Sequence, residues 1–130
     1  MKILVGYDRS KASEDALNLA LQHAQAFSAE VYIMTSLEQG AALKKEDIDK
    51  TENQLEKVKK PFKAAGVVCE VHTSVSYQSP GEDMVRFAKD KGMDQIVIGV
   101  RRRSKVGKLM TGSTAQYIIL NAPCPVHTDK

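Results

Sequence analysis

The sequence predicts a doubly wound α/β domain, a parallel sheet with helices on both faces, spanning residues 1–130 as one unit. Short continuous apolar runs alternate with helical patterns of ten or more residues, which is the rhythm of right-handed strand–helix–strand crossovers. The runs Ile3–Tyr7 and Gln95–Gly99 lack the polar alternation of a half-exposed strand, so they suit strands buried on both faces. A chain of 130 residues, 42% apolar and 27% charged, encloses one core without disulfides or a structural metal.

The first strand, Ile3 to Tyr7, is closed by Asp8. Ser10 or Ser13 can cap a helix from about Lys11 to Phe27, where Ala12, Ala16, Ala20, Ala24 and Phe27 keep helical spacing. Val31–Met34 is a second strand. A highly charged helix follows within Lys44–Lys63, with Ile48, Leu55, Val58 and Phe62 in phase and Pro61 as a kink or break. The β-branched stretch Val67–Val75 partly alternates, as a strand near a sheet edge does. Ser79-Pro80-Gly81-Glu82 has the spacing of a capping box with Pro at the first helical position, and Met84, Val85, Phe87 and Ala88 make the buried face up to Gly92. After the strand Gln95–Gly99 and a basic stretch, Ser113–Asn121 reads as a helix closed by Pro123 and Pro125, leaving Val126–Thr128 as a last short strand.

A net charge of +3 and a pI near 8.8 are too mild for a dedicated nucleic-acid or membrane binder. No apolar run reaches the roughly 18 residues of a membrane span, and with no export signal a cytoplasmic location is expected. Cys69 and Cys124 form no CxxC motif and have no nearby His, so they read as buried thiols rather than zinc or redox ligands. His23, His72 and His127 fall on different elements and read as unrelated to one another. There is no G-x-S-x-G, no H-E-x-x-H and no paired-carboxylate spacing, so no catalytic residue and no metal ligand is assigned.

In an open parallel sheet, ligands bind beyond the carboxyl ends of strands where the winding reverses. Two segments qualify: Gly6-Tyr7-Asp8, and Gly99 to Thr114. The second combines a strand-end glycine, the cations Arg101, Arg102, Arg103, Lys105 and Lys108, and Gly112-Ser113-Thr114 opening a helix. Backbone N–H groups, a positive helix end and mobile cations make an anion site, suited to phosphates. Gly107 and Gly112 have Walker spacing, but Ser113-Thr114 stands where Lys-Ser/Thr is required, and no G-x-G-x-x-G follows the first strand. Each residue also has a plainer reading: Asp8 as a turn cap, Gly99 as a tight turn, Gly112-Ser113 as a helix start, and the basic stretch as a solvated loop.

The pattern G-x2-G-x9-G-S/T after the fourth strand, an Asp closing the first and a terminal Pro125-Val126 strand resemble the universal stress protein family. The match is most specific from Gln95 to Val126. The resemblance implies five parallel strands in the order 3-2-1-4-5 and a homodimer joined through the C-terminal strand. It also implies ATP, with Mg2+, held between strands one and four. Asp8 would then stand near the ribose or a phosphate-bound metal, and the backbone around Met34 and Thr35 would receive adenine. Ile98 and Gly99 would let the nucleotide approach, and Gly112, Ser113 and Thr114 would grip the phosphates. The second motif glycine falls on Arg102, which either blocks close approach or places a guanidinium on a phosphate. The expected function is a regulatory ATP-binding stress protein with at most slow ATP hydrolysis and an unidentified protein partner. Two other readings compete. One is a dimeric adaptor of the same fold whose basic segment contacts an acidic partner. The other is a nucleotide hydrolase or adenylyl-transfer domain, whose usual S-G-G-x-D-S or H-I-G-H signature is missing beside Gly6-Tyr7-Asp8-Arg9-Ser10.

Overall fold

The computed structural model describes residues 1–38, 44–76, 78–100 and 112–129. Five strands, β1 (Lys2–Gly6), β2 (Glu30–Glu38), β3 (Cys69–Ser76), β4 (Gln95–Gly99) and β5 (Val126–Asp129), form one sheet in the order β3-β2-β1-β4-β5. All four pairings are parallel; Ile3 lies beside Val31 of β2 and Gln95 of β4. The helices are α1 (Lys11–Phe27), α2 (Lys45–Ala64), α3 (Pro80–Lys91) and α4 (Ser113–Asn121).

Strand periodicity divides the core into two layers. Ile3 and Val5 of β1, with Ile33 and Val97, pack on Ala16, Leu17, Ala20 and Ala24 of α1 and on Leu55 and Phe62 of α2. Leu4, one residue out of step, joins Ile96 and Ile98 on the opposite face against Met84, Val85 and Ala88 of α3 and Ala115 and Ile118 of α4. Ile3, Leu4 and Val5 are wholly buried, as the unalternating run requires of a central parallel strand. Among the described residues, no helix is long and apolar enough to cross a membrane.

Four expectations need correction. Phe27 is 56% exposed, and Leu17, outside the expected alanine stripe, joins the core instead. β2 runs four residues past Met34, because the ladder Thr35↔Thr73 to Glu38↔Ser76 is made by backbone and needs no apolar run. α2 continues through Pro61 to Ala64; so near the helix end, proline removes one backbone bond without stopping the last turn. His23 and His127 are not unrelated: α1 lies over β5, and the two rings meet edge to face with centroids 5.0 Å apart. His23 Nδ1 also lies 3.3 Å from Gln95 Oε1.

Candidate functional site

The carboxyl ends of β1 and β4 open into one cleft of about 540 Å3. The chain order places it there. β1 sits between β2 and β4, so α1 leaves β1 toward one face and α4 packs on the other, and among the described residues the sheet end between them forms the cleft.

The β1–α1 corner is held by a closed set of bonds. Asp8 Oδ1 accepts from the Ser10 N–H at 2.9 Å, and the Asp8 N–H donates to Ser13 Oγ at 3.3 Å. Ser10 Oγ caps α1 by accepting from the Ser13 N–H at 3.1 Å, while Ser13 Oγ donates to the Ser10 carbonyl at 2.9 Å. Asp8 therefore performs the turn-capping role and, still exposed, also lines the cleft. On the other side, the Tyr7 N–H donates to the Met34 carbonyl at 2.9 Å and Thr35 Oγ1 donates to the Tyr7 carbonyl at 2.7 Å, tying the corner to β2.

α4 begins differently from its neighbours. α1 and α3 are capped by Ser10 and Ser79, whose hydroxyls accept from Ser13 and Glu82. α4 starts at Gly112, which has no side chain to cap with, and the first helical bond is Gln116 N–H to the Gly112 carbonyl at 3.1 Å. The N–H groups of Ser113, Thr114 and Ala115 thus precede the helical ladder at the positive end of the helix. Both Gly112 and Ser113 are exposed, and a Cβ added to Gly112 would meet nothing within 4 Å among the described residues. An oxyanion brought to this end finds N–H donors ahead of the helical ladder and, among the described residues, no side chain against Gly112.

Of the residues named from sequence, Asp8, Met34, Ile98, Gly99, Gly112, Ser113 and Thr114 line this one cleft. Thr35 does not; it lines a smaller adjoining hollow of about 170 Å3 with Tyr7, Asp8, Arg9, Ser36, Leu37, Thr51 and Gln54. Arg102 and the other cations of the basic stretch lie outside the described residues. The sequence placed Tyr7 in a candidate ligand segment, gave Ser10 and Ser13 only as helix caps, and offered nothing for Ser36. Ser36 bonds the buried Asp83 carboxylate of α3 and lines both spaces. The apolar run ends at Met34, so no hydrophobic pattern marks Ser36 as part of β2. Among the described residues, no three His, Cys, Asp or Glu side chains gather as a metal site.

Cys69 is 6% exposed on β3, and burial pushes its thiol up to about 11. Burial also raises Cys124, with Asp94 adding to the effect. Neither thiol faces the cleft.

Comparison with known proteins agrees with this architecture. The model of the universal stress protein family matches residues 1–130. A universal stress protein of Methanocaldococcus jannaschii is 32% identical over 136 residues, spanning 96% of this chain and 79% of the relative. A solved universal stress protein from Archaeoglobus fulgidus superposes with a TM-score of 0.85 at 33% identity, covering 100% of this chain and 93% of its own. Another, from the same organism and solved in complex with dAMP, gives 0.83 at 32% identity, covering 100% and 98%. A match along the whole length, together with the 3-2-1-4-5 sheet and the glycine-started helix at its open end, makes this chain a member of the universal stress protein family.

Proposed function

We propose that this chain binds an adenine nucleotide in the cleft between β1 and β4, with ATP and Mg2+ as the physiological ligand. It acts as a small cytoplasmic regulatory protein whose occupancy is read by a partner. The observation that carries the proposal is the uncapped start of α4. Ser113, Thr114 and Ala115, whose N–H groups precede the helical ladder, line the same cleft as Asp8 and Met34. Phosphate oxygens are the ligand chemistry that such a helix end favours, at about 0.3–1 kcal/mol from the helix dipole and more from the charge-assisted bonds. The relative solved with dAMP lends support, being 32% identical over essentially the whole of both chains.

In this reading Gly112, Ser113 and Thr114 hold phosphates, and Ile98 and Gly99 form the floor. Asp8 meets the ribose or the ligand's Mg2+, and the backbone at Met34 and Thr35 receives the base. The Met34 carbonyl already accepts from Tyr7, so base recognition there uses its second lone pair. Arg102, in the position of the second motif glycine, is assigned to the β- or γ-phosphate.

We also propose a homodimer. β5 is an edge of the sheet, and α4 beside it exposes Leu120 (81%) and Ile119 (48%), an apolar flank that a second copy would cover. The test of the ligand reading is direct: acid or heat extraction of purified protein, followed by chromatography, and calorimetry with ATP, AMP and GTP. Adenine nucleotide in the extract, or heat with ATP and none with GTP, supports it. No bound nucleotide and no heat at millimolar ATP overturns it and leaves the adaptor reading.

A further inference from the structure

Arg9 has a backbone conformation that its side chain does not favour. Its φ is 68°, in the left-handed region where an L side chain crowds the following carbonyl. Among the described residues the other non-glycine with positive φ is Ser28, which ends α1 in the left-handed cap common to helix C-termini. Arg9 sits instead in the turn between Asp8 and the N-cap Ser10, where glycine would serve without strain. Its exposure means that no core packing compensates.

What Arg9 does have is a place at the hollow of about 170 Å3 beside the cleft, with Tyr7, Thr35, Leu37, Thr51 and Gln54. The wall of the hollow is mostly carbon. Gln54 Nε2 donates to Tyr7 Oη at 3.3 Å in that wall, and the Gln54 amide retains further donor and acceptor capacity. Tyr7, Asp8 and Ser36 line both hollow and cleft, so the two spaces adjoin. Among the described residues lining either one, Arg9 is the sole cation.

We propose that Arg9 is a ligand-selecting residue: its guanidinium closes the hollow and stacks on the face of a planar base seated there. The inference rests on the nucleotide reading above, which already brings the base to Met34 and Thr35, and adds what covers it. Phosphates directed to the start of α4 leave the base at the opposite side of Asp8, toward β2 and α2, which is where the hollow lies. A carbon-walled slot suits a ring rather than a phosphate. Guanidinium is planar and weakly hydrated, so it stacks on a ring where lysine's ammonium does not.

The test is calorimetry and thermal melting of wild type, Arg9→Gly and Arg9→Lys, with adenosine, AMP and ATP at low and high salt. Arg9→Gly is expected to melt no lower than wild type and to lose about tenfold in affinity for all three ligands alike, with little salt dependence. Arg9→Lys is expected not to restore the loss. Unchanged affinity in Arg9→Gly would overturn the proposal while leaving the nucleotide reading in place. A loss that grows with phosphate number and fades in salt would make Arg9 a phosphate contact and overturn the stacking. A lower melting temperature would make Arg9 a structural residue and overturn it as well. A wild type that binds none of the three ligands removes both readings together.

Discussion

Gly99, at the end of β4, lies against the backbone of Ala12 in the first turn of α1. A methyl group built on Gly99 would stand 2.1 Å from the Ala12 carbonyl oxygen and 2.2 Å from its carbon. The contact is with main chain, which has no flexible tip to swing aside. Gly99→Ala is therefore expected to destabilise the fold by about 2–3 kcal/mol or more, by prising α1 from the sheet. Urea denaturation without any ligand checks this. A midpoint equal to wild type would show that the corner relaxes freely.

Gly112 presents the opposite case. Its φ of −63° is ordinary, and among the described residues added bulk meets nothing within 4 Å. Gly112→Val should keep the native circular dichroism and lose nucleotide binding by about tenfold or more, since the branched side chain stands in front of the Ser113 and Thr114 N–H groups. Native affinity in a folded variant would take the α4 start out of the site.

Arg102→Ala should weaken ATP more than AMP. A guanidinium on the β- or γ-phosphate contributes about 1.5–3 kcal/mol as a charge-assisted bond, and AMP has neither phosphate. Equal losses for the two nucleotides, or tighter ATP binding by the variant, would identify Arg102 as a bystander or an obstacle.

The Cys69 thiol, raised to about 11 by burial, should react with thiol reagents at pH 8 only as fast as the protein opens. It also contributes to alkaline instability. Its folded value lies above the ordinary thiol value of about 9, so the unfolded chain gives up this proton first and stability falls from about pH 9 to about pH 11. Cys69→Ala should flatten that part of the stability curve. Rapid labelling of Cys69 in the native protein at pH 8 would contradict its burial.

Light scattering at micromolar concentration should give about twice 14.3 kDa. Removal of residues 126–130 should give monomer or aggregate, because it deletes the edge strand and uncovers β4. A dimer that survives the truncation would place the interface elsewhere.

The parallel sheet and the cleft were legible because strand ends and helix starts carry their own chemistry, whereas the order 3-2-1-4-5 came only with the resemblance to the family. Asp8, Gly99, Gly112, Ser113 and Thr114 announce a turn, a close approach and a helix start by residue type alone, and they line one cleft. Thr35 and Ser36 were harder to place. Beyond Met34 the strand is carried by backbone pairing to β3, so hydrophobic pattern gave no sign of its extent or of which side chains reach the cleft. The left-handed turn at Arg9 was hidden for a related reason: an arginine there does not announce a positive φ as glycine does. The meeting of His23 and His127 depends on α1 lying over β5, a contact that follows from the sheet order and not from the spacing of the histidines.

The central position of β1 also governs the order in which the molecule can be assembled. Its first partner, β2, is made within the next 40 residues, but its second is not: the Lys2 N–H is held by Asp94, 92 residues along the chain. During synthesis, β1, β2 and β3 can pair and take up α1 and α2 while the other margin of β1 stays bare. That bare margin belongs to a strand whose residues Ile3, Leu4 and Val5 are wholly buried in the finished fold, and it is covered only when β4 emerges. A nascent chain halted before residue 95 would therefore present a ready template for pairing with another chain, and would be the species on which chaperones act.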